Sequence, residues 1–344
     1  MSRNTLIGFI LIGLILLFYP KYLELVSPQK PLETPQEKAL PKNLPLTPFS
    51  VEATAPDSGA AKKTEELSQK KKNKESFFHI DTSLFSAVVS NKNGGSISSF
   101  VIRDHLKEDE EEIQLIDEKN NNNLLVSFIN TSGEEVLLGD LWSFNESLPE
   151  KVSLVKTEEA QKLSFYKSVG GFLAKKSLTF KNNSYAVDVS VDIEGLEPLI
   201  LDGRFKLDWS GGIRLTEESK QESLFLEGLV SQGGSIQSYR VGSASLFGGG
   251  SSEISFDSKQ YSGNTDFVGY RTKYFGVFFV PQRTDFVEIS KSGSSERPNV
   301  GLSTTQEINL RKTVLFFGPL QYEQVASLGV GLEDKILGWQ WLSS

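Results

Sequence analysis

From Phe77 onward the chain alternates apolar and polar positions with a period of two. In Tyr185–Ile193 (YAVDVSVDI), Tyr185, Val187, Val189, Val191 and Ile193 share one face, and Ala186, Asp188, Ser190 and Asp192 the other. This is the pattern of a half-buried strand. Phe172–Phe180 alternates similarly, with Phe172, Ala174, Leu178 and Phe180 aligned and Lys176 the exception. Lys181-Asn182-Asn183-Ser184 supplies turn chemistry between the two, so the pair reads as a hairpin. Further runs are Ser86–Val89, Ser96–Ile102, Leu124–Ile129, Leu163–Tyr166, Ile200–Leu207 and Thr313–Phe317. Tyr274–Val280 is continuously apolar apart from Gly276, which predicts a strand covered on both faces. Gly94-Gly95, Gly211-Gly212 and Gly233-Gly234 punctuate the runs. Many strands with few helical stretches predict an all-β, large antiparallel sandwich over residues 77–320.

The two ends break this period. Thr5–Tyr19 carries no charge, and its apolar residues are Leu6, Ile7, Phe9, Ile10, Leu11, Ile12, Leu14, Ile15, Leu16, Leu17, Phe18 and Tyr19. Fifteen helical residues span only about 22 Å of a hydrocarbon core of roughly 30 Å. Extension through Val26 supplies the rest, with Lys21 and Glu24 near the interface. A buried core helix and a cleaved signal peptide are the competing readings. The run's place at the chain start argues against the first, and the lack of an A-x-A-like site after it against the second. An uncleaved transmembrane signal anchor over residues 1–26 is expected. Arg3 before the run places the N-terminus in the cytoplasm and the remainder across the membrane. Residues 27–76 hold seven of the 13 prolines and a lysine-rich stretch without apolar periodicity. They read as a disordered tether with an r.m.s. reach on the order of 40 Å. At the other end, residues 321–344 predict a short helix with Tyr322, Val325 and Leu328 on one side, capped by Gly329. Trp339 and Trp341 follow, suited either to a membrane interface or to packing on the sheet.

Charge and composition narrow the chemistry. The net charge is −8, but residues from Phe77 onward carry 25 basic and 36 acidic side chains, a net of −11. Such a domain repels phosphate backbones, so nucleic acid is not expected as a partner. With no cysteine, disulfides, zinc–thiolate sites, lipoprotein lipidation and thiol nucleophiles are excluded. His79 and His105 are the only histidines, too few for a multi-histidine metal site. Asp104-His105 reads as a surface pair in a charged loop, and Glu108–Glu112 as a solvated turn without the spacing of a calcium loop. Gly248-Gly249-Gly250 leads into strand-like residues, which gives no phosphate-cradling helix start. No G-x-S-x-G, Walker A or G-x-G-x-x-G motif is present. No catalytic residue, cofactor or metal is expected. A carboxylate pair for glycoside chemistry cannot be picked out of the 36 acidic residues, so a tethered carbohydrate-binding or mutarotase-like sugar-active sandwich stands as the alternative.

Two C-terminal blocks carry a resemblance. GNTDFVGYRTKYFGVFFVP (Gly263–Pro281), with Tyr274 and Phe275, and VLFFGPLQYEQVASLGVGLEDKILGW (Val314–Trp339), with Gly318-Pro319 and Gly338-Trp339, resemble the end of the periplasmic domain of YidC-type bacterial membrane protein insertases. SNKNGGSISSFVIRDHL (Ser90–Leu106) is similar to that family's first hairpin, and the N-terminal anchor with its tether is similar as well. The resemblance implies a mutarotase-like β-supersandwich with a short C-terminal helix and no enzymatic activity. It also implies an inner-membrane location with the large domain in the periplasm, where this domain is an interaction or chaperone module. Its implied partners are the Sec translocon, nascent membrane proteins and the lipid bilayer. The family's insertase core of five further transmembrane helices, with its charged groove, has no counterpart here. The chain ends at Ser344, about where the second transmembrane helix is expected to begin.

Overall fold

The computed structural model describes residues 74–106, 111–117, 122–155, 160–216, 222, 225–241, 253–294 and 298–333. The expected anchor, most of the tether, and Gly338, Trp339 and Trp341 lie outside these residues, as do Gly248–Gly250 and Glu108–Glu110.

Three sheets account for the described strands. The first runs in spatial order β4 (Glu112–Gln114), β3 (Ser96–Leu106), β2 (Phe85–Ser90), β1 (Phe77–Asp81) and β8 (Lys151–Ser153). The second holds nine strands: β14 (Ser235–Arg240), β13 (Glu227–Gln232), β16 (Thr265–Arg271), β17 (Phe275–Pro281), β20 (Lys312–Pro319), β11 (Ala186–Asp192), β10 (Phe172–Phe180), β9 (Gln161–Val169) and β7 (Ser143–Phe144). The third is β15 (Glu253–Ser262), β18 (Phe286–Ser294), β19 (Pro298–Glu307), β12 (Arg204–Ser210), β5 (Asn123–Ile129) and β6 (Glu135–Leu137). β8 pairs with β1 in parallel, and the other pairings named here are antiparallel. The fold is thus an all-β, antiparallel sandwich.

Alternation decides which residues enter the core. In β11 Val187, Val189 and Val191 are buried while Ala186, Asp188, Ser190 and Asp192 are half-buried on the other face. β10 and β11 form the expected hairpin, with Lys175 opposite Asp192 and Leu178 opposite Val189. β17 is buried on both faces, and β16 and β20 pair with its two edges within the widest sheet. A chain of rings ties the sheets together. Phe85 stacks on Phe100 at 4.4 Å, Phe100 meets Phe317 at 4.9 Å, and Phe317 meets Trp209 edge-on at 5.1 Å. These four rings come from the first, second and third sheets and are all buried. Aromatic pairs of this geometry add about 0.5–1.5 kcal/mol each beyond area burial.

The structure corrects three expectations. The strand expected from Ile200 begins only at Arg204, because Glu194–Leu199 and Leu201–Gly203 form 3-10 turns. Asp202 at φ +58° and Gly203 at φ +59° reverse the backbone there, which no strand tolerates. The C-terminal helix α1 is only Tyr322–Ala326; Val325 is buried, but Tyr322 points outward. Gly329 closes this segment at φ +68°. His105 is not in a loop: it lies in β3, half-buried, with its Nε2 3.2 Å from the Gln321 amide nitrogen and its ring 6.5 Å from Phe275.

Candidate functional site

The outward face of the third sheet holds a concavity. In β12, Phe205, Leu207 and Trp209 turn into the core, so Lys206, Asp208 and Ser210 must face out. Register then sets their neighbours. Asp208 lies opposite Ser303, Ser303 opposite Glu288, and Ser210 opposite Gly301, which in turn lies opposite Ser290. Lys206 donates to Asp208 Oδ1 at 3.0 Å. Ser127 Oγ donates to Glu135 Oε1 at 3.1 Å on the neighbouring strands. The result is a trough of about 180 Å³, lined by Leu125, Lys206, Asp208, Ser210, Glu288, Ser290 and Ser303. Gly301 keeps it open, since a Cβ there would come within 2.7 Å of Ser290 Oγ.

The electrostatics are those of one ammonium among three carboxylates. Burial pushes Asp208 up to about 6, with Glu135 and Glu288 adding to the effect and Lys206 opposing it. For Lys206, burial acts to lower the pKa, but Asp208, Glu288 and Glu135 outweigh it and the net shift is upward. The two shifts differ in origin: burial dominates at Asp208, whereas at Lys206 the surrounding carboxylates together outweigh burial. The floor therefore offers carboxylate and hydroxyl acceptors to cationic or hydrogen-bond-donating groups. Among the described residues no group of three or more His, Asp or Glu side chains is arranged to hold a metal.

A second unusual group lies in the core. Lys176, the one break in the β10 pattern, is fully buried. Its Nζ donates to the carbonyl oxygens of Asn93, at 3.0 Å, and of Leu124. Asn93 in turn donates to Asn122 Oδ1 at 2.9 Å and to Asn123 O at 3.2 Å. Asn123 closes the knot on β3, accepting from Ile97 N at 2.7 Å and donating to Ile97 O at 2.8 Å. The β2–β3 turn, the start of β5 and the middle of β10 are thereby fixed to one another. Burial lowers Lys176 to about 7.

The two sequence blocks that carried the family resemblance are brought side by side. β17 and β20 pair with Phe275 opposite Pro319 and Gly276 opposite Gly318. Phe275 and Pro319 are buried and Tyr274 is exposed. Neither glycine has room for a side chain: a Cβ on Gly318 would lie 2.6 Å from the Tyr185 ring, and one on Gly276 would lie 2.4 Å from Phe278. The trough and the lysine knot escaped the sequence reading. Of the two, only Lys176 left a trace, as an interruption of alternation.

The family model described as the YidC periplasmic domain matches residues 78–343. Over its whole length the chain is 26% identical to the membrane protein insertase YidC of Chlorobaculum parvum, covering 58% of that protein. It is 25% identical to that of Prosthecochloris aestuarii, with 58% covered, and 27% identical to that of Chlorobium luteolum, with 59% covered. The chain thus spans somewhat under three fifths of the length of the curated relatives it matches. Among solved structures it is similar to a galactose mutarotase related enzyme from Lactobacillus acidophilus, at TM-score 0.41 and 11% identity over 70% of this chain and 97% of the other. A galactose mutarotase-like protein from Lactobacillus casei gives TM-score 0.41 and 10% identity over 71% and 99% of the two chains. The match begins at the second residue of β1 and runs through the paired blocks of β17 and β20, and by it this chain belongs to the YidC periplasmic domain family.

Proposed function

We propose that this chain is the N-terminal and periplasmic portion of a membrane protein insertase, supporting insertion and folding of integral membrane proteins alone or with the Sec translocon. The observation that carries this reading is the likeness to insertases along the whole chain, together with the family match over residues 78–343. The N-terminal run Thr5–Val26 anchors it in the bacterial inner membrane, and the β-domain lies in the periplasm. The domain is a non-enzymatic contact module. Its trough presents Asp208, Glu288 and serine hydroxyls to the polar groups of a translocated loop or of a Sec partner. The sugar-active alternative lacks comparable support, since the curated relatives quoted above are named for membrane insertion.

Insertion itself needs a polar path flanked by lipid, because a charge at the bilayer centre costs roughly 2.5–3.5 kcal/mol even on translocon scales. One anchor helix cannot enclose such a path. The test is complementation of an insertase-depleted strain with these 344 residues, beside the same chain extended by a five-helix insertase core. Rescue by the extended chain alone is expected. Rescue by the 344 residues alone would show that the activity has been misplaced.

A further inference from the structure

One end of the nine-stranded sheet gathers exposed aromatic side chains around a lysine. Phe225 just before β13, Lys273 and Tyr274 between β16 and β17, and Tyr322 at the start of α1 all sit there. Register brings them to the same end: Glu227 lies opposite Arg271, Phe275 opposite Pro319, and Leu320 N donates to Tyr274 O at 2.8 Å. Phe225 is 50% exposed, Tyr274 42% and Tyr322 60%, although the adjoining strand β17 is buried on both faces. The Lys273 ammonium lies 4.6 Å from the Tyr274 ring centre and 5.9 Å from that of Phe225.

We propose that this end of the domain rests on the bilayer interface, with Phe225, Tyr274 and Tyr322 among the lipid headgroups and Lys273 beside their phosphates. The inference rests on the anchored, periplasmic reading given above. Tyrosine rings with an apolar body and a polar tip are favoured at headgroup depth. A lysine beside them adds attraction to anionic lipid. The sequence beyond α1 argues for lipid over another protein. Within twenty residues of Tyr322 it continues as ILGWQWL, with Trp339 and Trp341, an apolar and aromatic stretch of the same interfacial character. The rest of the domain opposes contact, since residues from Phe77 onward carry −11. Docking on an anionic membrane must then be local, and this cluster joins a cation to exposed rings.

The absence of cysteine makes the test clean. Single variants Phe225→Cys, Tyr274→Cys and Tyr322→Cys of the full chain carry a small fluorophore in vesicles of phosphatidylethanolamine and phosphatidylglycerol. Leu173→Cys is the control: it sits at the far end of β10, beyond Lys175 opposite Asp192, roughly 25 Å along the strands from Ala186. Expected is quenching of the three cluster positions by headgroup spin-labelled lipid with shielding from aqueous iodide, and the reverse at Leu173. Lys273→Glu should reduce the lipid quenching at Tyr322. Iodide quenching of all four positions, with none by lipid, would overturn the proposal. Shielding from iodide without lipid quenching would also overturn it and assign this end to a protein contact. A chain that fails to float with the vesicles would instead refute the anchor, and the interface contact with it.

Discussion

The Lys176 ammonium lies 3.0 Å from the carbonyl oxygen of Asn93, wholly inside the sandwich. Its second acceptor is Leu124 O. Asn93 has φ +55° and Leu124 φ +54°, a region that costs L-residues roughly 1–2 kcal/mol. Leu124 is the extra residue of a bulge, since Leu125 faces Asp208 and Asn123 faces Trp209. A bulged residue leaves the ladder, and its carbonyl is thereby available to the lysine. Two strained backbone positions thus serve one buried cation.

That arrangement has a pH signature. Burial lowers the folded pKa of Lys176 to about 7 from the ordinary lysine value of 10.5, so between these values the unfolded chain binds more protons than the folded one. Stability then rises with pH across this window. At 1.36 kcal/mol per unit, the gain from about pH 7.5 to about pH 9.5 is on the order of 2 kcal/mol. Lys176→Met removes the titration but leaves two buried carbonyls unpartnered, at about 1–3 kcal/mol each. Urea unfolding at the two pH values is expected to give a wild-type increase that the variant lacks. Parallel curves for the two proteins would show that the lysine stays charged throughout.

Asp208 works in the opposite direction. Its folded pKa is raised to about 6 from 3.8, so the folded state holds the extra proton. The stability this contributes is present below the unfolded pKa and is lost as pH rises through 6. Asp208→Asn mimics the protonated form. It is expected to match or exceed wild type in unfolding free energy at about pH 7.5, by up to roughly 2 kcal/mol, and to show no gain at about pH 4. Loss of stability at the higher pH would mean that the Lys206 pair outweighs the burial of the carboxylate.

Backbone demand and side-chain crowding can be separated at two glycines. Gly94 (φ +70°) and Gly133 (φ +82°) are both left-handed. A Cβ on Gly94 would meet the Trp142 ring at 2.8 Å, whereas one on Gly133 meets nothing within 4 Å. Both alanine variants carry the backbone penalty of about 1–2 kcal/mol. Gly94→Ala should lose about 1–3 kcal/mol more, because the buried indole cannot withdraw and overpacks. Equal losses by thermal unfolding would show that Trp142 yields.

Much of the sandwich was legible because the period-two signal is local. The β10–β11 hairpin, the two-faced burial of β17 and the β20 run can each be read from one short stretch of contiguous chain. What escaped depends on register between distant segments. Asp208, Ser303 and Glu288 form one row of the trough, yet along the chain each looks like an ordinary solvated position of a half-exposed strand. Lys176 broke its pattern visibly, but alternation cannot distinguish a lysine turned to solvent from one satisfied by carbonyls 52 and 83 residues away. The late start of β12 was hidden by Ile200 and Leu201, which look strand-like, while Asp202 and Gly203 impose the reversal. Tyr322 was misplaced because so short a helix turns one residue, Val325, into the core.

The Gly318-Pro319 step tests whether the family's aromatic blocks are held by packing. Gly318 sits in β20, opposite Gly276 of β17, and the Tyr185 ring lies over it. Tyr185 is itself buried, its hydroxyl 3.4 Å from Leu84 O, and its ring is 6.0 Å from that of Phe85. The ring is pinned between the first and second sheets and cannot retreat from an added methyl group, which would come within 2.6 Å. Gly318→Ala is therefore expected to lose about 1–3 kcal/mol through overpacking. Tyr185→Ala alone should lose about 3–5 kcal/mol, as large aromatic truncations do. In the double variant the new methyl enters the space the ring has left, so the losses should fall short of additivity by at least about 0.5 kcal/mol. Gly195→Ala, with nothing within 4 Å of its Cβ, supplies the neutral reference. Denaturant unfolding of the four variants measures the cycle. Strict additivity would place the constraint on Gly318 in the backbone and not beneath Tyr185.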